Sequence, residues 1–100
     1  MLRLYNEKPI SIFMVNEDNK ISVEFCNVKM KMRPCQFKLF HNYLYNKSKK
    51  IDGSDSSVEL LLVKDNLNIT ISLAHFFQLC NGVQMVMSQK FGLDIYKQKN

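Results

Sequence analysis

The chain has 100 residues, 46% of them apolar and 23% charged, with a formal net charge of +5. That balance is the one found in folded globular domains rather than in disordered chains. At this length the reading is one domain over residues 1–100, which excludes a pair of independent domains and a large multi-step catalytic cleft. The charge permits an acidic partner without demanding one.

The longest pure apolar run near the N-terminus is Ile12-Phe13-Met14-Val15, far shorter than a signal h-region or a membrane span. The expectation is a soluble, cytoplasmic protein with no membrane partner. Cys26, Cys35 and Cys80 are odd in number and widely spaced, without a Cys-x-x-Cys pair, which argues against a secreted disulfide framework. In that setting the two sequons, Asn46-Lys47-Ser48 and Asn68-Ile69-Thr70, are chance matches.

In chain order, the first predicted strand is Ile10 to Val15, followed by the turn-rich Asn16-Glu17-Asp18-Asn19. Two alternating segments come next, Ile21/Val23/Phe25 and Val28/Met30/Met32, joined at Cys26-Asn27. Alternation places successive side chains on opposite faces of a strand, and Asn tolerates the positive φ of a two-residue hairpin turn. Pro34 suits a first helical position, and Phe37, Phe40, Tyr43 and Leu44 then recur at helical spacing. Lys47 to Ser57 reads as a flexible surface connection. A second hairpin follows, Val58 to Val63 and Leu67 to Ser72 around Asp65-Asn66, and Ser72 is a good N-cap for a second helix. Asn81-Gly82 permits a hairpin turn and a strand at Val83 to Met87. Helical spacing at the matching place in the first half favours a helix to about Met87, since one Gly costs only about 1 kcal/mol. The tail beyond Gly92 is expected to fray.

Residues 20–46 and 59–86 share this pattern at a shift of 39 positions. Ile21 and Val23 fall on Leu60 and Leu62, Asn27 on Asn66, Met30 and Met32 on Ile69 and Ile71, and Phe37 on Phe76. The predicted fold is therefore α+β: a single antiparallel sheet of about five strands with two helices on one face. Its order is β-β-β-α-β-β-α, with an internal ββα pseudo-repeat. The strands at 10–15 and 58–63 are apolar on both faces and belong in the middle, giving a spatial order 3-2-1-4-5. Such a sheet leaves Phe13, Val15, Leu61 and Val63 together on its open face. That patch is either covered by Leu2-Leu4-Tyr5 or Ile95-Tyr96, or it is a self-association surface.

The string Ile21-x-Val23-x-Phe25-x-Asn27-Val28-x-Met30-x-Met32, continued by Phe37-x-x-Phe40, resembles a family of small uncharacterised bacterial proteins. These are built as a strand-hairpin-helix unit, twice, and form a domain of unknown function. The resemblance covers residues 10–86 and implies a fold, with no activity attached. Some members carry a Cys-x-x-Cys pair ahead of the first alternating strand. Val15 and Asp18 occupy those positions here, so no metal or redox role carries over. Arg33-Pro34 likewise stands where a capping side chain is expected.

The chemistry-bearing residues form no active-site constellation. Cys26, Cys35 and His41 lack zinc-knuckle spacing, and His75 and Cys80 lie five apart on one helix, a poor chelating interval. All three glycines are isolated, so there is no phosphate loop. The expectation is no enzyme activity, no metal and no cofactor. Charge is more informative. From Phe25 to Ile51 there are seven basic residues and no acidic one, while the rest of the chain nets −2. Lys29, Lys31 and Arg33 share one strand face at intervals of about 6.6 Å, near the spacing of phosphates along a nucleic-acid strand. With Lys38 they are the candidate phosphate-binding residues. The alternative is an edge strand whose lysines prevent unwanted pairing. The sequence thus points first to a small non-enzymatic interaction module, a homodimer or a small-protein partner using Phe13, Val15, Leu61 and Val63. A nucleic-acid-binding accessory protein is the alternative.

Overall fold

The computed structural model describes residues 2–15, 19–25, 27–62 and 67–91. Strands β1 (Leu2–Glu7), β2 (Ile10–Val15), β3 (Lys20–Phe25) and β4 (Val28–Met32) precede helix α1 (Pro34–Ser48). Strands β5 (Ser57–Leu62) and β6 (Leu67–Ser72) precede helix α2 (Leu73–Phe91). The fold is α+β, as expected, but not a single five-stranded sheet. One antiparallel sheet has the order β1-β2-β3-β4, and β5-β6 forms a second sheet of two strands.

The expected order placed the strand at 10–15 beside the strand at 58–63. That edge of β2 is taken instead by β1, which pairs with it from Leu2↔Met14 to Glu7↔Ile10. The sequence hides β1 for a physical reason. The register shifts between Arg3 and Tyr5, and such a bulge breaks the two-residue period by which a strand is recognised. The Leu2-Leu4-Tyr5 segment therefore extends the sheet rather than covering its open face. With β2 occupied, β5 pairs only with β6, and the hairpin turns Val58, Leu60, Leu62 and Ile71 inward to the core.

Both helices lie on the inner face of the four-stranded sheet, α1 against β3 and β4 and α2 against β1 and β2, and α2 also meets the β5-β6 hairpin. Ile10, Ile12, Ile21, Val23 and Phe25 from the sheet meet Phe37 and Leu44 of α1 and Phe76, Leu79, Val83 and Val86 of α2. Burying each of these side chains favours folding by roughly 1.5–3 kcal/mol. The hairpin turn between β3 and β4 uses Asn27 at φ 64°. The turn expected at Asp65-Asn66 lies outside the described residues.

Local signals start both helices. The Arg33 amide donates to Gln36 Oε1 at 3.0 Å, the back-bonding arm of a capping box, so Gln36 performs the capping that Arg33 itself was not expected to provide. Ser72 Oγ accepts the His75 amide at 3.2 Å, as an N-cap does.

Helix α2 continues past Met87 to Phe91 and runs through Asn81-Gly82 without interruption. Gly82 is there because of β1. A Cβ at that position would stand 2.7 Å from two ring carbons of Tyr5, and the Tyr5 ring is buried. Gln78 Nε2 adds a polar tie, donating to the carbonyls of Glu7 and Lys8 in the β1–β2 turn. In an exposed helix, Gly→Ala is worth about 1 kcal/mol of stabilisation. Here we expect Gly82→Ala to destabilise by about 1–3 kcal/mol through overpacking. A urea midpoint equal to or above that of the parent would show that the Tyr5 ring yields.

Candidate functional site

Register defines what stands on the outer face of the four-stranded sheet. Ile12, Ile21 and Val23 point inward and are fully buried, so Ser11, Phe13 and Val15 of β2 and Lys20, Ser22 and Glu24 of β3 point outward. Across the strands, Arg3 pairs with Phe13, Phe13 with Ser22, and Ser22 with Lys31. One row thus runs Arg3, Phe13, Ser22, Lys31 across all four strands, spanning about 14 Å at the usual strand separation. The Arg3 guanidinium lies 5.6 Å from the centre of the Phe13 ring, a cation–π distance. Ser22 is buried between Phe13 and Lys31 although it belongs to the outer face.

A second row joins Ser11, Glu24 and Lys29. Lys29 Nζ stands 3.8 Å from Glu24 Oε2 in an exposed pair, which contributes little stability. Glu24 is the one carboxylate among the described residues of the outer face, since Glu7 of β1 stands opposite the inward-facing Ile10. Against it stand Arg3, Lys20, Lys29 and Lys31, with Arg33 just beyond the end of β4.

The face runs over the β4 edge into a groove of about 460 Å³. Lys20, Lys31 and Arg33 form its cationic rim. Met30, Leu39, Phe40, Tyr43 and Leu61 are the main apolar wall, supplied by β4, α1 and β5. Leu39 is 68% exposed and Leu61 50%. The Tyr43 hydroxyl accepts the backbone N–H of Leu61 at 2.9 Å, fastening α1 to the free edge of β5.

The residues singled out from sequence separate into groups. Lys29, Lys31 and Arg33 lie on or beside β4, at the edge of the sheet, and Lys38 is exposed on α1 outside the groove lining. Phe13 and Val15 are half-buried on the open face. Leu61 belongs to the other sheet and lines the groove, so it does not sit on a strand next to them, and Val63 lies outside the described residues. Sequence reasoning missed Arg3, Lys20, Leu39 and Tyr43. Lys20 was readable, being in phase with Ser22 and Glu24. Arg3 was hidden by the bulge, and the groove by the division into two sheets.

The histidines and cysteines are dispersed. His41 is buried between the helices, and its Nε2–H donates to Gln84 Oε1 at 2.7 Å. An amide oxygen can only accept, which leaves the buried Nδ1 without a hydrogen-bond partner among the described residues. No group of three or more metal-ligating side chains occurs among the described residues, and none of their helices is long and apolar enough to cross a membrane. Comparison with family models, characterised proteins and solved structures returned no match.

Burial raises the Cys80 thiol from 9.0 to about 11, whereas Cys35 is an exposed free thiol. Only the thiolate reacts with alkylating agents, so iodoacetamide at pH 8 should modify Cys35 well before Cys80, as read by peptide mass spectrometry. The same shift fixes a sign for stability. The unfolded chain releases the Cys80 proton first, so stability should fall as pH rises from about 9 to about 11. A Cys80→Ala variant should show a smaller fall over that range in urea titrations.

Proposed function

We propose that the protein is a non-enzymatic nucleic-acid-binding module using the outer face of its four-stranded sheet, in the cytoplasm. The observation that carries this reading is the position of Lys20 and Arg3. Edge protection accounts for lysines on β4, but Lys20 stands at the start of β3, opposite Val15 of β2. Arg3 comes from the opposite edge of the sheet. Cations from three strands converge on one face with a single carboxylate among its described residues, and a polyanion is the complementary ligand. Phe13 with Arg3 over its ring supplies the flat surfaces on which bases stack. The ββα pseudo-repeat, the single domain over residues 1–100 and the kinship with the strand-hairpin-helix family belong to the same reading. The two helices each follow a hairpin directly.

Self-association through the open face has less support. Phe13 and Val15 are on a different sheet from Leu61, so the apolar patch is smaller than a continuous five-stranded sheet would offer. Pairing two copies of this face would also set five cations against five, which costs free energy instead of releasing it.

Fluorescence anisotropy with a labelled 20-nucleotide oligo-dT should give micromolar or tighter binding at about 50 mM salt, weakening steeply as salt rises. Arg3→Gln and Lys31→Gln should each flatten the log–log salt dependence by about 0.7, the contribution of one phosphate contact to a single strand. Absence of binding at low salt would refute the reading. A native mass that falls from dimer to monomer on Phe13→Lys would favour self-association instead.

A further inference from the structure

We infer that the groove between β4, α1 and β5 is a slot for a nucleobase, and that the protein therefore selects single-stranded over duplex nucleic acid. This rests on the reading above and extends it from the backbone to the bases.

The first argument is charge. Every ionisable side chain on the groove's rim that is charged at neutral pH is a cation, namely Lys20, Lys31 and Arg33. Lys20 and Lys31 also belong to the basic face, so a phosphodiester tracking that face arrives at the groove mouth. The second argument is the wall. Behind the cations stand Leu39, Phe40 and Tyr43 of α1, with Leu61 opposite. Leu39 and Leu61 are left largely exposed, an apolar surface that a flat ring would cover. The volume of about 460 Å³ is in the range that holds ligands of nucleotide size. Phosphate outside and ring inside is the layout of one nucleotide unit.

The occupant is an aromatic anion rather than an added peptide strand because neither strand edge is inviting. The Leu61 N–H of β5 is already taken by the Tyr43 hydroxyl at 2.9 Å. The β4 edge carries Lys29 and Lys31, the kind of charge that discourages strand addition. Selectivity follows from base accessibility. In a duplex the bases are paired and stacked, and extruding one costs a few kcal/mol, whereas a single strand presents its bases freely.

The test uses the full chain and four probes: dT12, an abasic 12-mer of the same charge, a 12-base-pair duplex, and free thymidine monophosphate. The duplex should bind more weakly than dT12, and a duplex bound as tightly overturns the strand selectivity. Seating one base should make dT12 bind about tenfold tighter than the abasic strand, since stacking contributes about 1–3 kcal/mol per base. Leu39→Ser, at an exposed position, should bring dT12 down to the abasic affinity and leave the abasic affinity unchanged. In the unaltered chain, dT12 should move the amide NMR signals of Leu39 and Leu61, and the abasic strand should not. Equal affinity for dT12 and the abasic strand overturns the slot while leaving the backbone-binding face standing. Binding to neither overturns both. Thymidine monophosphate bound as tightly as dT12 overturns the strand-selective reading, because the groove would then serve a free nucleotide.

Discussion

The seating of Tyr5 on Gly82 is the contact on which the arrangement of strands depends. A buried ring on β1 meets a helix surface that has no side chain at the point of contact, and Gln78 bonds to the β1–β2 turn four residues earlier on α2. Together they hold β1 against β2. Because an antiparallel sheet offers each strand two edges only, β1 at one edge of β2 and β3 at the other leave nowhere for β5. The hairpin of β5 and β6 must then find its cover from α2. The placement of β1, held by its ladder to β2 and by this close approach, thus goes together with the division into two sheets and the gap between them.

That gap has chemical consequences. A continuous sheet would have buried the edge of β4 or β5 against a neighbour and closed the space that now lies over α1. Division leaves Leu39 and Leu61 exposed beside each other's elements and places Lys31 and Arg33 at the mouth of a groove. The same contact that anchors Tyr5 inward turns Arg3 outward, through the bulge between them. The cationic row across the sheet and the apolar groove at its edge are therefore products of one packing event, far from either in the case of the groove.

Most of the local structure was legible because it is written in period and punctuation. Alternation at Ile21/Val23/Phe25 and Val28/Met30/Met32, the Asn27 turn, Pro34 and the Ser72 cap all placed elements that exist at those positions. The long-range arrangement was not legible in the same way. A bulge erased the signal of β1, and without β1 the two-sided apolar strands 10–15 and 58–63 read as neighbours. The candidate site divided along the same line. Lys29, Lys31 and Arg33 could be placed on one face by counting twos along a strand. Arg3 needed the register of a strand whose period is broken, and the groove needed the tertiary fold.

The basic cluster on β4 illustrates why position decides meaning. Seen alone, lysines on a five-residue edge strand are sufficiently explained by the need to deter strand addition. That explanation predicts charge at the edge and indifference elsewhere. The outer face does not follow it: Lys20 projects from an interior strand, Ser22 is buried between an aromatic ring and a lysine, and the guanidinium of Arg3 lies over Phe13 instead of over a carboxylate. Keeping so many like charges on one side of a small sheet carries a standing electrostatic cost in the unliganded state. On the proposed reading, a polyanion laid across the face would relieve that repulsion and release its own counterions in doing so.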